Sequence, residues 1–162
     1  MKTVAIIGRT NVGKSTLFNK LCHTKKALVH DRPGVTRDRK EGTATLVNKT
    51  FRVIDTAGLE KESELARAMW HQTQLAIDEA DILLVMGDAR SEISALDVQL
   101  AKEVRKAHKP TLLIVNKCEG QAQHTGANEF YRLGLCEPIL LSAEHKLGFD
   151  ELAQKLLLWL AI

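Results

Sequence analysis

Several things are scarce in this sequence, and each scarcity narrows the possibilities. No apolar run approaches the ~20 residues of a membrane span, so a membrane protein of the helical kind is not expected. The three cysteines, Cys22, Cys118 and Cys136, are odd in number and far apart, which argues against a disulfide framework. They form no CxxC pair either, so the reading is reduced, partly buried thiols. Proline and glycine never gather into a linker, and no repeat or low-complexity stretch divides the chain. A length of 162 residues then fits one domain, 1–162, with one sizeable core. Charge of one sign is not in excess: 23 Lys+Arg stand against 20 Asp+Glu, a formal net charge of +3. The N-terminus lacks a signal-peptide layout, which makes the cytoplasm the expected location.

What is present is alternation. Thr3–Ile7 (TVAII), Ile82–Met86 (ILLVM) and Thr111–Val115 (TLLIV) read as buried strands, and Gly42–Val47 with Thr50–Ile54 as two strands meeting near Asn48–Lys49. Pro138–Leu141 completes the set. Ser15–Cys22, Glu62–Glu79, Ala95–Lys106, Gly126–Leu133 and Phe149–Leu160 read as helices. Lys25–Lys40 is polar, is broken by Pro33-Gly34, and reads as a long loop. Basic residues gather between Lys20 and Lys40; the cluster reads as a solvated face, with an anionic partner such as RNA as the alternative. Apolar strands alternating with helices imply an α/β fold, a mostly parallel six-stranded sheet with helices on both faces. In such sheets ligands bind beyond the carboxyl ends of the strands.

Four motifs lie at those ends. Gly8-Arg9-Thr10-Asn11-Val12-Gly13-Lys14-Ser15 matches GxxxxGK[ST] between a strand and a helix, the P-loop context. Its backbone N–H groups, from Asn11 through Thr16, are expected to surround phosphate oxygens, helped by the positive end of the following helix. Lys14 places a charge on the β and γ phosphates, and the Ser15 hydroxyl is a Mg²⁺ ligand. Asp55-Thr56-Ala57-Gly58 follows a strand about 40 residues later, a DxxG pattern. Asp55 is positioned to hold Mg²⁺ through water, and the Gly58 N–H to sense the γ-phosphate. Between them, Thr36 is either a third Mg²⁺ ligand or a turn threonine.

Asn116-Lys117-Cys118-Glu119 ends the strand TLLIV. Guanine offers N1–H and an amino group side by side, and a carboxylate accepts both; adenine lacks that pair. The usual acid of this pattern is Asp, so Glu119 implies guanine selectivity with altered affinity. Ser142-Ala143-Glu144 follows the last strand, with the Ala143 N–H a candidate donor to guanine O6.

GRTNVGKST, PGVTRDR, DTAGLE, NKCE and SAEH, in that order, resemble the TrmE–Era–EngA branch of translation-factor-type GTPases, within the Ras-like P-loop NTPase fold. The stretch ALVHDRPGVTRDR is most similar to the first GTPase domain of the Der (EngA) family. The likeness covers nearly the whole chain. Three departures stand out: Thr10 where proline is usual, Glu119 for aspartate, and Gly87-Asp88-Ala89-Arg90, which is assigned no role. The resemblance implies an excised N-terminal domain of a longer protein with a second GTPase domain and a KH-like domain in cis. It also implies work on ribosomal particles or rRNA during maturation of the large subunit.

Phosphoryl transfer needs positioning and charge neutralisation, and here Lys14, Thr36 and Gly58 are the residues assigned to it. Ras-like enzymes orient water with a glutamine directly after DxxG, whereas Leu59 occupies that position. In several members of the branch a potassium ion replaces an arginine finger, held by a phosphate-loop asparagine that Asn11 matches. The expected activity is slow, potassium-stimulated GTP hydrolysis. The alternative is a module that senses GTP or GDP with negligible hydrolysis of its own.

Overall fold

A computed structural model describes residues 1–22, 28–29, 39–56, 58, 66–120, 126–145 and 147–162. In chain order the elements are β1 (Thr3–Gly8), α1 (Lys14–Cys22), β2 (Leu28–Val29), β3 (Lys40–Leu46), β4 (Lys49–Asp55), α2 (Ala66–Glu79), β5 (Ile82–Asp88), α3 (Ala95–Ala107) and β6 (Thr111–Asn116). A 3₁₀ helix (Asn128–Leu133), β7 (Ile139–Leu140) and α4 (Phe149–Leu160) complete the chain. The six expected strands all form. A two-residue seventh, β2, joins at the edge from within the stretch read as loop, where no apolar periodicity marks it.

The sheet runs β2-β3-β4-β1-β5-β6-β7. β4, β1, β5, β6 and β7 are mutually parallel, and β2 and β3 are antiparallel additions. Successive side chains of a strand point to opposite faces. Val4 and Ile6 therefore join Leu17, Phe18 and Leu21 of α1 and Leu152, Leu156 and Leu160 of α4 on one face. Ala5 and Ile7 join Ala76 and Ile77 of α2 and Leu96, Leu100 and Val104 of α3 on the other. Both faces are covered, which is why the central strands are apolar throughout. Burying one side chain such as Phe18 contributes about 1.5–3 kcal/mol.

The helices begin where their sequences provide for it. α3 has a capping box: the Asp97 N–H donates to Ser94 Oγ, and the Ser94 N–H donates back to Asp97 Oδ2. α1 has no side-chain cap of that kind; its first turn opens into the phosphate loop. Arg39, just before β3, is buried, with a guanidinium nitrogen 2.7 Å from Glu41 and 2.7 Å from Glu79 at the end of α2. Arg52 reaches the same two acids at 2.6 and 2.9 Å. This four-charge cluster fixes the start of β3, and with it Lys40 at the mouth of the site.

Candidate nucleotide-binding site

All the motif loops meet at one end of the sheet, as the strand directions require. β1 ends at the phosphate loop and β4 at Asp55. β5 and β6 end together, with Asp88 opposite Asn116 in register. Between them lies a cleft of about 550 Å³ lined by Thr10, Asn11, Gly13, Lys14, Ser15, Thr16, Lys40, Asp55, Thr56, Gly58 and Lys117.

The phosphate loop is shaped by unusual dihedrals. Asn11 and Gly13 are both left-handed, at φ 67° and 109°. A Cβ on Gly13 would strike the Asn116 amide, so glycine is required there on both counts. Val12 is a core residue. Lys14 is buried and donates to the Arg9 carbonyl at 2.7 Å. Burial pushes the Lys14 ammonium down to about 8, with the Asp55 carboxylate opposing. Arg9 Nε in turn donates to Asp97 Oδ1 at 3.1 Å, tying the loop to the first turn of α3.

Asp55 sits opposite this lysine, buried. Burial pushes its carboxyl upward, while the Ser15 hydroxyl bond and the Lys14 and Lys40 charges oppose. The Ser15 hydroxyl donates to Asp55 Oδ2 at 3.0 Å. Asp55 Oδ1 is buried and has no hydrogen-bond partner among the described residues. An unmet buried carboxylate oxygen beside a serine hydroxyl is a donor set suited to a hard divalent cation such as Mg²⁺. Gly58 packs directly on Thr10, with no room for a side chain, so the DxxG segment and the phosphate loop touch. Thr36, the expected third ligand, and Leu59 lie outside the described residues.

The Asn116–Glu119 end of the cleft is built differently. Asn116 is buried: its Nδ2 donates to the Val12 carbonyl at 2.9 Å, and its Oδ1 accepts the Ala143 N–H at 2.9 Å. Lys117, left-handed at φ 67°, donates from Nζ to the Asn11 carbonyl at 2.7 Å and to Asp88 Oδ2 at 2.9 Å. Two adjacent residues thus bind the base loop to the phosphate loop. Glu119 is more exposed than either; its Oε1 accepts from the Ser142 hydroxyl at 3.0 Å and lies 3.8 Å from His145 Nε2. Ser142 is fully buried, whereas Glu144 is exposed at the rim.

Two residues expected to contact the base have partners within the protein. The Ala143 N–H, expected to donate to guanine O6, donates into the protein, to Asn116. Asn116, expected as a base contact, has an amide oxygen and an amide hydrogen committed to neighbouring loops. Both follow from the depth of the loop: groups at that depth must be satisfied by the protein itself. Reading the sequence also missed Asp88, which holds Lys117; an acid ending an all-apolar strand beside the base-reading strand was the available signal.

A strand–GxxxxGKS–helix cradle, a buried strand-end aspartate beside the serine hydroxyl, and an NKxE loop pinned to that cradle define a P-loop nucleotide-binding domain of the GTPase kind. The family model described as 50S ribosome-binding GTPase matches residues 3–117, from β1 through Lys117 just after β6. The chain belongs to that family. It is 49% identical over 160 residues to GTPase Der of Nitrosococcus oceani, covering 98% of this chain and 34% of that protein. The chain thus spans about a third of the length of the curated relatives it matches. Among solved structures, Era of Aquifex aeolicus bound to GDP and AlF4⁻ superposes with a TM-score of 0.81 at 28% identity, covering 98% of this chain and 57% of that one. Era in complex with MgGDPNP and nucleotides 1506–1542 of 16S ribosomal RNA gives 0.81 at 29%, covering 98% and 56%. Among the described residues no helix is long and apolar enough to cross a membrane.

Proposed function

We propose that this chain is the first, N-terminal GTPase domain of a longer Der-like protein, and that it is a GTP-hydrolysing switch used in assembly of the large ribosomal subunit in the cytoplasm. The observation that carries the reading is the double link from Asn116 and Lys117 to Val12 and Asn11. It sets base reader and phosphate cradle at a fixed separation, as one ligand with both parts demands. Glu119, steered by Ser142, accepts from the guanine N1–H and amino group, and Lys117 covers the base. Glu144 stands at the rim of that pocket.

Phosphate oxygens take the backbone N–H groups from Asn11 to Thr16 and the Lys14 ammonium. Lys14 now rests on the Arg9 carbonyl and exchanges that bond for a stronger, charge-assisted one. Ser15, Asp55 and Thr36 would hold Mg²⁺, which neutralises charge on the phosphate oxygens. The Gly58 N–H, against Thr10, stands next to the loop that holds the terminal phosphate. Asn11 is the residue assigned to a potassium ion that takes up developing charge. Further GTPase and KH-like domains in cis, and ribosomal RNA or particles, are the partners that this assignment brings.

Leu59 favours a second reading, a guanine-nucleotide sensor that hydrolyses negligibly alone, because leucine offers no hydrogen bond to water. Single-turnover phosphate release from GTP, in matched potassium and sodium buffers, tests both. Release that is faster in potassium supports the switch with its cation. Equal rates contradict the potassium role, and GTP bound without release favours the sensor.

A further inference from the structure

Lys40 is absent from the motifs, yet the sheet places it at the metal-binding pair. In the antiparallel β3–β4 ladder Lys40 is directly opposite Asp55. Opposed residues of such a ladder project side by side on the same face. Both line the cleft. Lys40 Nζ donates to Ser15 Oγ at 3.4 Å, and Ser15 Oγ donates onward to Asp55 Oδ2 at 3.0 Å. The Lys40 charge also opposes the upward push of burial on the Asp55 carboxyl.

This relay has a consequence for a divalent cation. A serine hydroxyl binds a metal ion through an oxygen lone pair, and Lys40 uses that oxygen as its acceptor. Ammonium and metal ion compete for one oxygen and for the negative charge of one carboxylate. We propose that Lys40 is a tethered counter-cation of the Ser15–Asp55 pair, holding it while no divalent ion is bound and withdrawing when Mg²⁺ enters. The start of β3, just after the stretch containing Thr36, would then change its contacts with metal occupancy. Lys40 acts here as a positioning residue. The proposal rests on the reading that Mg²⁺ and guanine nucleotide bind in this cleft.

The test compares wild type with Lys40→Met and Lys40→Arg. Release of a fluorescent GDP is followed over a MgCl₂ titration starting from EDTA. In EDTA, Lys40→Met is expected to release GDP roughly fivefold faster, the scale of one partly exposed charge. Its half-saturating Mg²⁺ concentration falls by a similar factor, while Lys40→Arg stays close to wild type. An unchanged half-saturation point overturns the proposal. A second measurement needs no nucleotide: thermal midpoints in EDTA for Lys40→Met, Asp55→Asn and the double variant. The cost of Lys40→Met is expected to shrink to less than half when Asp55 is neutral, and additive costs overturn the proposal. If GDP binds to none of the proteins, the functional reading fails, and the thermal cycle still decides the place of Lys40.

Discussion

The two ends of the cleft are built on opposite principles. At the phosphate end, Lys14 and Asp55 are charges held in burial, each pushed toward its neutral form, and Asp55 Oδ1 has no partner among the described residues. At the base end, Asn116 and Ser142 are equally buried, but their hydrogen bonds are met within the protein. The phosphate end is short of partners that a ligand brings; at the base end the buried Asn116 and Ser142 are paired, and the Glu119 carboxylate stands exposed beside them. A site of this kind derives affinity from the first end and selectivity from the second.

Breaking the phosphate end should have the largest effect. Lys14→Met removes a buried cation that lines the cleft and is expected to weaken GDP binding by roughly 100-fold, the scale of a lost charge-assisted bond. Calorimetric titration measures it, and a loss below a few fold would place the affinity elsewhere. Asn116→Ala should come next. It leaves the Val12 carbonyl and the Ala143 N–H buried and unpaired, at a cost of about 2 kcal/mol, so denaturant unfolding of the nucleotide-free domain should lose stability. If only GDP affinity fell and stability did not, the link between the loops would not be what holds them.

These two residues also mark what was legible in the sequence. Six strands and the placement of the motif loops at one end followed from apolar alternation and glycine-rich punctuation. The edge strand Leu28–Val29 did not, because two residues carry no period. Spacing placed Asn116 near a nucleotide but not its partners. Val12 is 104 positions away and Ala143 is 27 away, so the contacts exist only once the sheet order is set. Asp88 and Lys40 had no readable role for the same reason: the first is joined to its lysine by adjacent strand ends, the second to its aspartate by ladder register.

Smaller effects sharpen the contrast at the base end. Glu119→Asp shortens the reader to the usual length and should tighten GDP severalfold. Ser142→Ala frees the Glu119 carboxylate and should loosen GDP by roughly tenfold, the low end of the worth of one hydrogen bond to a charged group. Adenine nucleotides should be unaffected by both; a parallel change for ADP would mean that Glu119 does not read the base.

The smallest effect is a proton. Burial lowers Lys14 from its unfolded value of 10.5 to about 8. Between those values the unfolded chain binds a proton that the nucleotide-free fold does not, so this group makes the fold more stable as pH rises through that window. Phosphates favour the charged lysine, so GDP binding above about pH 8 should take up a fraction of a proton. Calorimetry in two buffers of different ionisation heat detects it, and Lys14→Met should abolish it.

Guanine selectivity is tested most directly by titrating the wild-type domain with GDP and with ADP, side by side in Mg²⁺. Saturable GDP binding is expected, with ADP weaker by at least roughly 100-fold, because adenine leaves the Glu119 carboxylate unpaired. Equal affinity for the two nucleotides would contradict it.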